Sequence, residues 1–247
     1  MRRASAYTNL AEWFEYLNDD CDYEQWLQFL TAKLQPYAPK TGLDIGCGAG
    51  WFTRAFARQG YQITGMDISP EMLDKAQANA LKAGVRSEYV LGDISKTKLP
   101  ARFDFATAIN DCINYIPKDR LDKAFKNVYG ALKKGGVFLF DISSPRKYAS
   151  KIANTVSVDE RDEVTYISFN SVEGDTARME VTLFVRRADG AFERLEETHI
   201  QYVYGVDEIK DALTRCGFTI VEVQGHLGTD IDSADRILFV AKKEKTL

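Results

Sequence analysis

Three carboxylates and one glycine turn stand where chemistry could be done. The stretch LDIGCGAGWF, residues 43–52, sets Gly46, Gly48 and Gly50 within five positions, directly after an apolar run that carries Asp44. Glycines at that density let a ligand come close to backbone N–H groups and to the start of the next helix. The spacing is G-x-G-x-G, whereas a dinucleotide pyrophosphate calls for G-x-G-x-x-G. An acid two residues before the turn makes little sense beside a pyrophosphate and suits a ligand with an ammonium group and a positive centre. Asp67 closes the next apolar run, 17 positions after Gly50, where a carboxylate can accept from both hydroxyls of a ribose. Asp93, followed by Ile94, offers an acceptor and an apolar face suited to an adenine's amino group and ring. An adenosine with a positively charged amino-acid tail fits all of these positions.

The elements that must position these residues follow from periodicity. Leu10, Trp13, Phe14 and Leu17 repeat at helical spacing, and after NDDCD so do Tyr23, Trp26, Leu27, Leu30 and Leu34, so two amphipathic helices are expected before the turn. From residue 41 strands and helices alternate: a strand to Ile45, a helix over Trp51 to Arg58, and a strand to Asp67. Ser69 and Pro70 supply an N-cap and a first-turn proline for a helix that stops at Gly84. Strands to Asp93 and to Asn110 come next, then a helix opened by Pro117, then the strand VFLFDI. Alternation of this kind implies an α/β protein with a parallel sheet covered on both faces. The last two strands, FTIVEV and RILFVA, are joined only by a loop and could pair antiparallel. Residues 150–204 show no helical period. Met179, Val181, Leu183 and Val185 alternate with polar residues between the turn signals EGD and ADG, the mark of an inserted antiparallel β-meander.

Composition bounds the function. The 247 residues are 45% hydrophobic and 28% charged, with a net charge of −4, so no global attraction to nucleic acid or anionic lipid is expected. The region 143–204 holds eight basic residues against eleven acidic ones and is no platform for a phosphate backbone. No run approaches the roughly 18 apolar residues of a membrane span, and MRRASAYTNL lacks the apolar core of a signal peptide; a cytoplasmic protein with no membrane partner is expected. Cys21, Cys47, Cys112 and Cys216 form no CxxC pair and read as reduced thiols filling space rather than as disulfides or metal ligands. No metal site is expected.

With these motifs in order, the chain resembles the class I S-adenosylmethionine-dependent methyltransferases. The resemblance rests on LDIGCGAG, GMDISPEML, GDI at 92–94, FDFATAINDCINYI, LKKGGVFLFDI and the DAL..CGF ending of the last helix. More narrowly, the chain is similar to a group of small bacterial methyltransferases. The family implies a Rossmann-like, mostly parallel sheet of seven strands with the last antiparallel, and S-adenosylmethionine across the glycine turn. By that resemblance Gly46, Gly48 and Gly50 line the methionine part, Asp67 holds the ribose, and Ile68 and Met72 flank the adenine. Asp93 and Ile94 face the adenine amino group, and Asn110 lies near the transfer site. The expected layout is a helical lid over 1–40, a cofactor domain of 41–149 and 205–247, and an inserted substrate cover of 150–204.

A sulfonium methyl is already activated, so in-line displacement depends on positioning and on exclusion of water. Tyr115 is the candidate for cation–π contact with the sulfonium. Asp111 and Asn114 stand beside the cofactor by motif order and could contact the acceptor. His199 shares a strand face with Glu197 and Gln201, and is either solvent-facing or turned into a polar cleft, where it could serve the acceptor. His226 reads as surface, Tyr23 and Trp26 as core with a lid over the cofactor as the alternative, Trp51 as core, and Arg146 as a solvated arginine. A small-molecule acceptor is the first expectation and a structured RNA nucleoside the second. A nicotinamide oxidoreductase would share the fold but needs the dinucleotide spacing. A non-catalytic binder would keep the glycine turn and lose NDCINY.

Overall fold

The computed structural model describes residues 4–19, 21–100 and 102–244. Arg2 and Arg3 of the leader, Asp20 of NDDCD and the last three residues of the expected 205–247 segment lie outside the described residues.

The described chain begins with β1 (Ala4–Ser5), a 3-10 turn (Leu10–Glu12), α1 (Phe14–Leu17) and α2 (Tyr23–Leu34). The alternating core follows as β2 (Thr41–Ile45), α3 (Trp51–Arg58), β3 (Gln62–Asp67), α4 (Pro70–Lys82), β4 (Glu88–Leu91), β5 (Phe103–Ala108), α5 (Leu121–Ala131) and β6 (Leu132–Ser143). A short α6 (Pro145–Lys147) and a π turn lead into β7 (Thr155–Glu160), β8 (Val164–Glu173), β9 (Thr176–Arg186) and β10 (Phe192–Tyr202). The chain then returns through α7 (Val206–Arg215), β11 (Phe218–Gly225) and β12 (Arg236–Lys243).

The larger sheet has seven strands in the order β11-β12-β6-β5-β2-β3-β4. Pairings from β6 through β4 are parallel, and β12 runs antiparallel to both of its neighbours. This is the Rossmann-like fold that the motifs imply. Because β2 pairs with β3 on one side and β5 on the other, the order reverses at β2, and ligands of such sheets bind beyond the carboxyl end of that strand.

Strands β2, β3, β5, β6 and β12 are buried on both faces, so alternate residues feed opposite layers. Leu43, Phe138 and Phe140 pack against Phe125, Val128, Ile209 and Leu213, while Phe105, Val137 and Leu139 pack against Trp26, Leu30 and Phe56. Ser69 caps α4 by accepting the Met72 N–H at 3.1 Å, and Pro70 occupies the first turn.

A smaller sheet, β1-β10-β9-β8-β7, is antiparallel except that β1 lies parallel to β10, with Ala4 opposite Glu197. Two differences from the sequence reading stand out. The first leader helix is broken into a 3-10 turn and the one-turn α1, because the N–H groups of Tyr7, Asn9 and Leu10 bond to the Glu197 carboxylate and not along a helix. The strand at 4–5 carries no alternation long enough to be seen in sequence. Among the described residues no helix is long and apolar enough to cross a membrane.

Candidate active site

A cavity of about 160 Å³ opens at the carboxyl end of β2, where the sheet order reverses. Its floor is the turn from Gly46 to Ala49 with Asp44, Asp67, Ile68 and Met72, and Ile109, Asn110 and Cys112 form one wall. Tyr7, Phe14, Tyr23, Trp51 and Tyr115 close it from the other side.

The turn keeps its path through left-handed glycines, with φ of +65° at Gly46, +53° at Gly48 and +83° at Gly50. The three do different work. A Cβ on Gly46 would lie 2.3 Å from Cys112 Sγ, so this position lets the wall close down on the turn. A Cβ on Gly48 would meet only Met72 Sδ, at 3.9 Å, so it would project into space a ligand can fill. Gly50 does not line the cavity: a Cβ there would stand 3.0 Å from both Ala76 Cβ and Tyr89 Oη, which makes it the glycine that seats α4 and β4. Below the turn, Arg54 donates to the Ala49 carbonyl at 2.6 Å and pairs with Glu15 of α1 at 2.8 Å.

Asp67 accepts the Gly48 N–H at 2.8 Å and the Ser69 N–H at 2.9 Å, so the acid that ends β3 also orders the turn. Burial raises its carboxyl against the pull of these amides. Asp44 is almost fully buried, accepts from Thr53 at 2.6 Å and Thr107 at 3.0 Å, and is pushed up to about 6 by that burial. A buried carboxylate with so few compensating donors gains from a cationic ligand.

These residues suit the adenosine and amino-acid parts of S-adenosylmethionine, since the open face at Gly48 is a cradle that a larger side chain would fill. Ile68, 65% exposed, and the buried Met72 flank the outer end of the cavity. Asp93 and Ile94 are not brought to it: Asp93 accepts from Ser95 and pairs with Lys96, and Ile94 packs in the sheet core.

The loop after β5 is held by Asp141 at the end of β6. Its carboxylate accepts the N–H groups of Asn110 (2.8 Å) and Asp111 (2.9 Å), both in left-handed conformation with φ of +61° and +52°. Asn and Asp tolerate that region better than other side-chain-bearing residues. Asp111 turns away from the cavity to Arg236 at 3.0 Å and Gln201 at 2.7 Å, and Arg236 also pairs with Asp141. Asn114 is fully buried and spent structurally, donating to the Tyr202 carbonyl and accepting the Ser143 N–H, each at 2.9 Å. It ties the end of β10 to β6 and does not reach the cavity.

Tyr115 does line the cavity. Its hydroxyl lies 2.9 Å from Tyr7 Oη and 2.9 Å from His199 Nδ1. His199 is 4% exposed, which places it in the polar cleft rather than in solvent, and its Nε2 is 2.6 Å from Glu197 Oε1. Burial pushes the Tyr7 and Tyr115 phenols far above their ordinary range, with Asp111 adding to both, so both stay neutral.

Several residues depart from the sequence reading. Trp51 and Tyr23 stack with centroids 5.0 Å apart and line the cavity, while Trp26 is core as expected. His226 is not a surface residue: its ring lies 4.3 Å from that of Trp26 and its Nδ1 is buried without a partner. Arg146 is exposed, as expected, and pairs with Asp235 at 2.8 Å. Tyr7 and Glu197 were the site residues not singled out. Glu197 left a signal, three polar residues on the inward face of a strand, whereas Tyr7 sits in a segment without periodicity.

A model of the methyltransferase domain matches residues 43–136. A putative methyltransferase of Geobacillus sp. (strain WCH70) is 32% identical over 245 residues, covering 96% of this chain and 99% of that protein. The crystal structure of an S-adenosylmethionine-dependent methyltransferase from Clostridium acetobutylicum ATCC 824 superposes with a TM-score of 0.87 at 28% identity, covering 97% of this chain and all of that one. An amino pentose methyltransferase from Micromonospora echinaspora, solved with S-adenosylmethionine bound, shares the fold with a TM-score of 0.75 at 23% identity, covering 98% of this chain and all of that one.

Proposed function

The chain belongs to the class I S-adenosylmethionine-dependent methyltransferases, and from that premise we propose that it methylates a small molecule bearing a hydroxyl or amine. The observation that carries this reading is the pairing, across one small cavity, of a carboxylate-lined glycine turn with the Tyr7–Tyr115–His199 group. When bound, S-adenosylmethionine supplies a methyl group on a sulfonium, ready for in-line displacement.

The protein's own residues supply the rest. Asp44 faces the ammonium end, Asp67 the ribose, Gly46 and Gly48 the methionine chain, and Ile68 with Met72 the adenine. Asn110 borders the transfer point. Tyr7, Phe14, Tyr23 and Trp51 exclude water, which strengthens each polar contact inside. Alignment of reacting groups in such an enclosed site is worth about 7 to 11 kcal/mol. Tyr115 presents its ring to the positive centre, and its hydroxyl leads to His199, whose Nδ1 can accept a proton. On this reading 41–149 with 205–247 is the cofactor domain, the meander of 150–204 the acceptor cover, and the leader of 1–40 the lid. The amino pentose methyltransferase that shares this fold supports an acceptor of small size.

The test is transfer of labelled methyl into a fractionated cell extract. Label is expected in the small-molecule fraction. Label confined to RNA would overturn the choice of acceptor, and cofactor binding with no label in any fraction would overturn catalysis.

A further inference from the structure

The transfer side of the cavity ends in a single file of hydrogen bonds, Tyr7 to Tyr115 to His199 to Glu197. Glu197 is fully buried. Besides His199 it accepts the backbone N–H of Tyr7 at 3.1 Å, of Asn9 at 2.8 Å and of Leu10 at 3.1 Å. Burial alone would push its carboxyl up; the His199 bond and the Asn9 and Leu10 amides outweigh burial and hold it below its ordinary value. It is therefore ionised at neutral pH.

An ionised carboxylate can only accept. His199 Nε2 must then carry a proton, and in the neutral imidazole Nδ1 is left as an acceptor. Tyr115 has one hydroxyl proton and gives it to Nδ1. Its oxygen then receives the proton of Tyr7, and Tyr7 is left with its oxygen lone pairs toward the cavity. With a neutral imidazole, the direction of every link follows from the first.

We propose that Glu197 is a positioning residue that sets the direction of this chain, so that Tyr7 offers the bound acceptor a hydrogen-bond acceptor and the site selects molecules with a proton on the atom to be methylated. This rests on the methyltransferase reading of the cavity. The proton leaves the acceptor atom for Tyr7 Oη as the Tyr7 proton moves to Tyr115 Oη and the Tyr115 proton to His199 Nδ1. The electron pair of the broken bond stays on the acceptor atom, and the product is an imidazolium paired with the Glu197 carboxylate. Because the same carboxylate holds the N–H groups of Tyr7, Asn9 and Leu10, Tyr7 joins the chain only when its segment is docked.

The remaining groups around the chain do not compete for that role. Tyr166 of β8 feels the Glu197 charge and is itself raised by burial. Asp111 and Asp67 act on Tyr7 only by disfavouring loss of its proton. Strand β9 sets Val181 opposite Glu197 and Met179 opposite His199.

The protein has two histidines, so His226→Gln leaves a single imidazole for nitrogen NMR. At pH 7, long-range proton–nitrogen spectra of the cofactor-free protein are expected to show His199 neutral with its proton on Nε2. A proton on Nδ1, or a doubly protonated ring, overturns the proposal. In Glu197→Gln the amide oxygen is held by the Asn9 and Leu10 N–H groups, so the NH2 faces Nε2; the variant is expected to lose that tautomer and to lower turnover about 10²-fold, while Glu197→Asp, which keeps the charge, retains the tautomer. Glu197→Gln with the tautomer and full turnover intact also overturns it. The tautomer is read without any methyl transfer, so its failure is distinct from failure of the methyltransferase reading, which label uptake tests.

Discussion

The floor of the cavity is made by loops leaving adjacent parallel strands, from Asp44 to Met72, whereas its transfer side is gathered from segments far apart in the chain: 108 positions separate Tyr7 from Tyr115 and 84 separate Tyr115 from His199. The floor is ordered by short-range bonds, such as Gly48 to Asp67. The transfer side is ordered by one buried carboxylate at the junction of β10 with the leader. Local construction lets the floor form without the smaller sheet. Long-range construction makes the transfer side dependent on the cover being in place.

If that division holds, variants on the two sides fail differently. The largest effect is expected from His199→Gln, which removes the final proton acceptor: turnover should fall by roughly 10² to 10⁴-fold with cofactor affinity by calorimetry unchanged. Loss of affinity in this variant would erase the distinction between the two sides. Asp67→Ala should do the opposite. It removes a charged acceptor and frees the turn, weakening cofactor binding on the order of 10²-fold while the melting transition stays cooperative; unchanged affinity would refute the ribose assignment.

A smaller effect concerns acidity. Asp44 is held up to about 6 by burial, so it is charged above that pH and neutral below it. Affinity for a cationic ligand should thus fall about tenfold between pH 7 and pH 5, and a flat affinity profile over that range would remove Asp44 from the ammonium contact. The smallest change in ligand binding is expected from Asn114→Ala, which leaves the Ser143 N–H and the Tyr202 carbonyl unsatisfied. It should cost about 1 to 3 kcal/mol of stability, read by denaturant titration, without a specific loss of cofactor binding.

The same division governs what could be read from the sequence. The glycine turn, the N-cap at Ser69 and the acid closing β3 depend on neighbours within a few residues, so their residue types carry the signal directly. Asp93 and Gly50 show the limit of such reading: one is consumed by Ser95 and Lys96, the other by packing against Ala76, and neither fate is visible in spacing. On β10, alternation separates Glu197, His199 and Gln201 from Ile200 and Tyr202 but leaves open which side is covered. What covers it is the leader, through contacts 187 to 190 positions away, and no local pattern in residues 4–10 announces that pairing. The NDCINY motif was legible as a loop near the site, yet only the left-handed backbone at Asn110 and Asp111, held by two N–H bonds to Asp141, explains why its first two residues are Asn and Asp.

The bond from Asn9 to Glu197 spans 188 positions, and this has a consequence for how the protein is born. At 5 to 20 residues per second on the ribosome, roughly 10 to 40 seconds separate synthesis of the leader from synthesis of its anchor. Through that interval the N–H groups of Tyr7, Asn9 and Leu10 have no native acceptor, while strands β2 to β6 can already assemble behind them. The nascent chain can thus complete the glycine turn and the strands around it well before the carboxylate that fastens its leader exists.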